Sequence, residues 1–308
     1  MTDIVAPRLR PSPTRIVDSL AGRWPARVAA VDGDTRWLFP EFVDRVHRLV
    51  GALAKLGVEP GDRVAYLGVN SAPLLEMYHA VPRLGAILVP INIRLSAADI
   101  DFILDDCEPK LAICDAELAP LIEESASRRG IHLVLRGRED EYEAMLAQAE
   151  PITKVHHVGE LDVCEIFYTS GTTGRPNGVE LTHRGVYLHA LAVWTGFDYK
   201  RGDIQLHTIP LFHVNGWGTP HTLTLAGGTH VMLPRFDPER VIELVQREQV
   251  TIVFLVPTML VALLEHLKGH PARLPSLRQV IAGVRLCPSL CAGAPSTNSG
   301  PLSGSATG

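Results

Sequence analysis

Short apolar runs alternate with amphipathic stretches along most of this 308-residue chain. Residues 63–69 form an apolar run of strand length, and apolar side chains recur at helical spacing from Phe42 to Leu56. A Glu-Pro-Gly-Asp turn at 59–62 separates the two stretches. Repeated strand–helix units of this kind predict parallel sheets covered by helices. We therefore expect an α/β protein with two βαβαβ-type lobes and mostly parallel sheets.

The same criteria place the individual elements. Predicted strands cover 63–69, 86–91, 111–114, 165–169, 204–209, 229–233, 251–256 and 279–282, and predicted helices cover 42–56, 71–84, 96–106, 183–194 and 237–249, with a further helix opening at Pro257. A polar, charged stretch at 121–161 interrupts the alternation. We expect one partial domain over 1–283, with two lobes of roughly 1–160 and 161–283. Whether the two lobes are intertwined stays open.

The alternation stops at Gly283. Residues 284–308 are rich in Ser, Gly, Pro and Ala and have no hydrophobic period. Such a segment cannot bury enough apolar surface to offset its ordering entropy, so we expect a low-complexity, disordered tail. The abrupt change of composition favours a frameshift in the coding sequence over a designed truncation.

Composition excludes several classes of function. The formal net charge is -5 and the pI is about 6.2, without the clustered basic surface typical of nucleic-acid binding. The apolar runs fall short of the roughly 18 residues of a membrane helix, and the N-terminus lacks a signal core. We expect a cytoplasmic protein with no transmembrane segment. Peripheral membrane contact through its substrate and the oligomeric state stay open.

One loop carries the strongest chemical signal. The segment from Tyr168 to Val179 reads YTSGTTGRPNGV, and we place it between a strand and a helix. Its glycines allow close approach of the backbone to a ligand, and its hydroxyls add hydrogen-bond donors. Exposed backbone N–H groups beside hydroxyls suit a phosphate chain. The loop is not a Walker A motif, because no Gly-Lys-Ser/Thr closes it.

This loop resembles the signature of the adenylate-forming superfamily, Y-T-S-G-T-T-G-x-P-K-G-V, which includes acyl-CoA synthetases. The match is broken only at Asn177, where the family has lysine. A second segment, Ile209–Gly218 (IPLFHVNGWG), is similar to the family's L-P-L-F-H-x-x-G. The segments Val256–Thr258 and Ser276–Gly283 (SLRQVIAG) resemble further family motifs. The resemblance covers roughly residues 15 to 283.

The resemblance implies a fold like the large N-terminal domain of acyl-CoA synthetases. It also implies a two-step reaction, in which a carboxylate attacks the α-phosphate of Mg-ATP and a thiol of coenzyme A then displaces AMP. The residues that it assigns to ATP are Thr169, Ser170, Gly171, Thr172, Thr173, Gly174, Asn177 and, at adenine, Gly283. Thr169 would also help to coordinate Mg²⁺. The residues that it assigns to the acid are His213, as a catalytic group near the carboxylate, with Asn215, Gly216 and Trp217.

The substrate class follows from the same resemblance. The segment from His213 to Trp217 looks most like that of medium- and long-chain fatty acyl-CoA ligases, as does Leu84–Leu95. Trp217 as a core aromatic is an equally open interpretation. Two other functions stay open: an adenylating enzyme that loads a carrier protein, and an inactive remnant that binds nucleotide or acyl groups.

Two departures from the family pattern weaken the expected activity. Asn177 replaces a cation, and charge-assisted contacts to phosphate are roughly twice as strong as neutral ones. The family's later Tyr-Gly-x-Thr-Glu motif, its ribose aspartate and its lid domain with a lysine do not occur in this sequence. From the sequence we therefore expect an incomplete chain that is weakly active or inactive.

Overall fold

The computed structural model describes residues 12–137, 140–170, 175–213, 216, 218–282 and 285–286. Its strands are β1 Val28–Asp32, β2 Thr35–Leu38, β3 Arg63–Leu67, β4 Ile87–Pro90, β5 Leu111–Asp115, β6 His132–Arg136, β7 Val163–Ser170, β8 Pro176–Thr182, β9 Ile204–His207, β10 Thr229–Met232, β11 Ile252–Leu255, β12 Gln279–Ala282 and β13 Arg285–Leu286. Its α-helices are α1 Asp18–Arg23, α2 Phe39–Lys55, α3 Ala72–Leu84, α4 Ala97–Cys107, α5 Glu123–Arg129, α6 Glu141–Ala147, α7 His183–Gly196, α8 Thr219–Ala226, α9 Pro238–Glu248 and α10 Pro257–Gly269.

The strands form two sheets. Sheet I has the order β13-β12-β11-β9-β10-β1-β2, and sheet II has the order β6-β5-β3-β4-β7-β8. All neighbours in sheet I are parallel except the two outer pairs, and in sheet II only β7 and β8 are antiparallel. The predicted α/β class with mostly parallel, helix-covered sheets is confirmed. Strands β1 and β2 belong to sheet I although they precede every strand of sheet II, so the two sheets are interleaved in sequence.

The helices begin and end where local chemistry allows. Ser71 caps α3 by accepting a hydrogen bond from the Leu74 amide, and Gly85 ends it with a φ of 82°. Ser96 and Asp99 form a capping box at the start of α4. The buried faces of α2 and α3 pack on sheet II in the largest apolar core. These boundaries agree with those predicted from capping residues and hydrophobic spacing.

The polar stretch at 121–161 contains regular structure that the sequence interpretation missed. It holds α5, β6 and α6, and β6 pairs in parallel with β5 from Leu111↔His132 to Asp115↔Arg136. As the edge strand of sheet II, β6 buries only Val134 fully, so its apolar signal is weak. The β1–β2 hairpin was also missed, although Asp32-Gly33 is a recognised turn signal and Gly33 has a φ of 60°.

None of the helices in the described part of the chain is both long and apolar enough to cross a bilayer. Cys107, Cys114 and Cys164 are buried free thiols, and burial raises the pKa of Cys107 and of Cys114 to about 12. Thiols with so high a pKa are inert at neutral pH.

Candidate active site

A β-hairpin presents the ends of the glycine-rich loop. Strands β7 and β8 pair from Val163↔Thr182 to Ser170↔Pro176, which places Thr169 directly opposite Asn177. Side chains of paired residues lie on the same face of a sheet. Both residues are exposed, so the Thr169 hydroxyl and the Asn177 amide are available together at the mouth of the loop.

The hairpin adds a strand that the sequence did not predict. We placed the loop between a strand and the helix predicted from His183, and α7 does begin at His183, but β8 lies between the loop and that helix. Thr182 caps α7 by accepting a hydrogen bond of 3.1 Å from the Gly185 amide. The loop therefore does not lie at the N-terminus of α7, and the dipole of that helix cannot supply the positive potential for phosphate. Strand β8 was missed because it is largely exposed and becomes a strand through its pairing with β7.

Helix α4 supports the loop end of the hairpin. The Tyr168 hydroxyl donates a hydrogen bond of 2.6 Å to Oδ2 of Asp106, and the Arg175 guanidinium lies 5.6 Å from the centre of the Phe102 ring. A Cβ added at Gly178 would lie 3.2 Å from the Tyr168 ring, so the two strands approach closely here. Tyr168 precedes the loop and Arg175 follows it. Both flanks of the loop are therefore held by the same helix.

The second motif forms a tight turn after β9. The His213 amide donates to the carbonyl of Pro210 at 3.1 Å, and the Gly216 amide donates to the carbonyl of His213 at 2.8 Å. A Cβ at Gly216 would come within 2.3 Å of the Pro210 oxygen, so only glycine fits. The His213 ring reaches solvent, yet surrounding protein atoms and the Arg94 guanidinium lower its pKa below the ordinary value. His213 is therefore a neutral imidazole at neutral pH.

Two buried side chains fix this turn: Asn70, in the segment after β3, and Tyr78, on α3. The Asn70 amide donates to the carbonyls of His207 (2.8 Å) and Ile209 (3.0 Å), and its Oδ1 accepts from the Leu211 amide at 2.8 Å. The Tyr78 hydroxyl donates to the Leu211 carbonyl at 2.7 Å. The turn that carries His213 is thereby attached to the segment that follows β3.

These contacts bring the carboxyl ends of both sheets together. Asn70 lies three residues beyond β3, and its bonds reach the carboxyl end of β9. Strands β3, β4 and β7 are mutually parallel, so the end of β7 at Thr169–Ser170 lies on the same edge of sheet II as the end of β3. Ligands of parallel α/β sheets bind at this edge. The first two sequence motifs therefore emerge on the two edges that Asn70 joins.

A buried hydrogen-bonded pair that sequence analysis missed lies beneath the two motifs. Nε2 of His221 on α8 lies 2.7 Å from Oε1 of Glu165 on β7, and both side chains are 0% exposed. Glu165 shares a face of β7 with Phe167 and Thr169. A carboxylate inside an otherwise apolar strand was the signal that could have identified it.

Several predicted site residues lie outside the described part of the chain. They are Gly171, Thr172, Thr173, Gly174, Asn215, Trp217 and Gly283, together with the tail apart from the β13 residues 285–286. Of the predicted site, the structure places Thr169, Asn177, His213 and Gly216, and the backbone of Ser170. The roles assigned to all of these residues stay predictions.

The sequence matches the family model described as AMP-binding enzyme over residues 17–299. A long-chain-fatty-acid–CoA ligase of Thermus thermophilus is 38% identical over 264 residues, which cover 82% of this chain and 48% of that protein. A feruloyl-CoA synthase of Amycolatopsis is 38% identical over 271 residues, covering 85% of this chain and 54% of that protein. The chain therefore spans about half the length of the curated relatives it matches.

Solved structures agree with this match. The inhibitor-bound N-terminal domain of FACL13 from Mycobacterium tuberculosis superposes with a TM-score of 0.82 at 31% identity, covering 89% of this chain and 70% of that one. An ATP-bound MatB from Rhodopseudomonas palustris superposes with a TM-score of 0.76 at 25% identity, covering 88% of this chain and 55% of that one. The resemblance found in the loop and in the Ile209–Gly218 segment is thus confirmed over most of the chain. The chain belongs to the family of AMP-binding enzymes.

Proposed function

We propose that this chain contributes the nucleotide- and acid-binding part of a fatty acyl-CoA ligase. The reaction would join a medium- or long-chain fatty acid to ATP, release pyrophosphate, and pass the acyl group from acyl-AMP to coenzyme A. One observation carries the proposal: Asn70 joins the sheet edge that holds the phosphate loop to the edge that holds the His213 turn. The long-chain and medium-chain fatty acid–CoA ligases among the relatives support the substrate class.

The residues at this edge suit the two reactants. The exposed hydroxyl of Thr169 and the amide of Asn177 offer neutral donors for phosphate oxygens, and Gly171–Gly174 would add backbone N–H groups. A neutral His213 can donate one N–H to a carboxylate or phosphate oxygen. Mg²⁺, held in part by Thr169, would neutralise charge on the phosphates. Positioning and charge stabilisation of this kind account for most catalysis of such transfers.

Asn177 gives a specific reason to consider a second function. It stands on the same face as Thr169, where a lysine could reach the phosphates, and it has no charge. A neutral amide loses the charge-assisted contact, so this chain would bind nucleotide weakly. An adenylate-binding module with slow turnover is therefore the alternative, and loading of a carrier protein instead of coenzyme A is a variant of the first function.

The test is to measure binding of MgATP to the wild-type chain and to Asn177→Lys by calorimetry. We expect the variant to bind about tenfold more tightly, since a charge-assisted hydrogen bond contributes roughly 1.5–3 kcal/mol. Gln148→Lys adds the same charge in an exposed position at the end of α6, next to the opposite edge of sheet II, and should leave the affinity unchanged. If neither the wild type nor Asn177→Lys binds MgATP, the proposed function is wrong.

The acid is tested with stable acyl-adenylate analogues, the sulfamoyl adenosines of octanoate, palmitate, benzoate and alanine. We expect the two fatty acyl analogues to bind most tightly, because a fatty chain gains apolar burial that the others lack. Tightest binding of the alanyl or benzoyl analogue would contradict the fatty-acid assignment and leave the adenylation chemistry standing.

A further inference from the structure

The Glu165–His221 pair joins the two elements that carry the signature motifs. Glu165 lies four residues before Thr169 on the same face of β7, and His221 lies on α8, which begins directly after Gly218. Their 2.7 Å contact is fully buried on both sides. Phe167, between Glu165 and Thr169, packs in the same core as Leu211 of the His213 turn. The pair therefore lies where β7 and the second motif meet.

Further contacts hold His221 and its helix in one orientation. The His221 ring packs edge-on against Tyr78 and His79, with both centroid distances 5.6 Å. Thr224, one turn along α8, lies 3.1 Å from Nε2 of His79. Tyr78 in turn donates to the Leu211 carbonyl. Helix α3 thus contacts both the pair and the His213 turn.

A buried polar pair that includes a carboxyl group is a costly way to join two elements. Taking both groups out of water offsets much of their attraction, so an apolar pair of similar volume would often be equally stable or more so. What the pair does supply is direction: an N–H donor and a carboxylate acceptor meet in one geometry only. An apolar contact at the same place has no preferred direction, so we expect it to hold β7 and α8 in a less defined relative position.

We propose that Glu165 and His221 are positioning residues that set the distance between the phosphate-loop hairpin and the His213 turn. The role of this distance in aligning nucleotide and acid rests on the proposed function. The geometric part does not, because it concerns only β7, α8 and the turn at 209–216.

Hydrogen exchange of the intact chain tests the geometric part. In Glu165→Gln and His221→Gln, we expect exchange at the Leu211 and Gly216 amides to rise more than tenfold, while the amides of β5 stay protected. Glu248→Gln is the matched control, since Glu248 is a nearly buried carboxylate that binds Arg36 with contacts of 2.5 and 2.9 Å outside this region. It should leave Leu211 and Gly216 unchanged. An equal rise in exchange at the β5 amides would show that the pair only stabilises the whole protein, and it would overturn the proposal.

A double variant separates the directional contact from the cost of burying polar groups. Glu165→Leu with His221→Leu removes both buried polar groups, and we expect it to keep the wild-type melting temperature. We also expect exchange at Leu211 and Gly216 to stay elevated, because the directional contact is gone. Restored protection at these amides would overturn the proposal, and this variant remains informative if the single variants do not fold.

The functional part is measured as coupling between MgATP and octanoate in calorimetric titrations. We expect MgATP to tighten octanoate binding severalfold in the wild type, and this gain to vanish in Glu165→Gln while each ligand alone binds within about threefold of the wild type. Undiminished coupling in the variant would overturn the alignment role. If neither the wild type nor Asn177→Lys binds MgATP, the proposed function fails, and the exchange measurement still decides the geometric claim.

Discussion

At the scale of single residues, Asn70 has the clearest structural role near the site. Its two amide hydrogens and its carbonyl oxygen bind the backbone of residues 207–211. It therefore supplies three hydrogen bonds that this irregular segment would otherwise lack. Sequence analysis missed it, since a lone asparagine after a strand predicts only a turn. Its partners lie about 140 positions further along the chain, and only the fold brings them into contact.

Asn70→Ala should lower the free energy of unfolding by about 2–4 kcal/mol, because it leaves two buried carbonyls and one amide without their partner. The measurement is urea unfolding followed by circular dichroism. Asn92→Ala is the control, since Asn92 makes one local hydrogen bond to the Arg94 amide and should cost less than about 1 kcal/mol. A loss below that value for Asn70→Ala would contradict the role assigned to it.

At the scale of elements, the two motifs are held in different ways. The glycine-rich loop joins the strands of a hairpin, and its two flanks contact α4 through Tyr168 and Arg175. The described residues of the His213 turn have no regular structure of their own, and the turn depends on close backbone packing at Gly216. A loop between paired strands tolerates change better than a turn with no free volume. The turn is therefore the more sensitive of the two elements.

Gly216→Ala should cost about 1–3 kcal/mol, because its Cβ would overlap the Pro210 oxygen and force the turn to move. Gly22→Ala provides the matched comparison: this helical glycine has nothing within 4 Å of an added Cβ. It should stabilise the protein by about 0.5–1 kcal/mol through helix propensity. Thermal unfolding of both variants measures the two changes in stability, which should have opposite signs. If Gly216→Ala left the stability unchanged, the turn would have to relax freely around the added methyl group.

At the scale of the whole molecule, a buried polar chain links sheet I to helix α3. Nε2 of His207 lies 2.9 Å from Nδ1 of His230, and Thr224 connects His230 to His79 through contacts of 3.0 and 3.1 Å. Burial lowers the pKa of His207 to about 3 and, with repulsion from neighbouring histidines, takes those of His79 and His230 well below the ordinary value. The folded protein therefore holds these rings neutral.

This chain of histidines predicts acid sensitivity. Unfolding restores a pKa near 6.5, so the unfolded state binds more protons between about pH 6.5 and pH 3. The stabilisation is complete above this window and is lost as pH falls through it, by up to about 1.4 kcal/mol per pH unit for each histidine. In urea titrations from pH 7.5 to 4.5, His207→Gln should reduce this slope and the exposed control His132→Gln should not. A free energy of unfolding that does not change with pH would contradict the prediction.

Local sequence determined most of the regular elements and the chemistry of the loop. Capping residues, glycine ends and hydrophobic spacing depend on neighbours within a few positions, so α3, α4 and the apolar strands could be predicted. The loop from Tyr168 to Val179 likewise identified the family, because the family signature consists of particular residues in consecutive positions.

Only the tertiary structure decided how these parts meet. The joining of two sheet edges by Asn70 and the Glu165–His221 pair rest on contacts between residues distant in the chain. Such contacts leave no periodic signal, since each is one polar residue whose meaning depends on its partner. The sequence thus specified which chemical groups are present. Packing of the two interleaved sheets placed these groups where the carboxyl edges of the sheets meet.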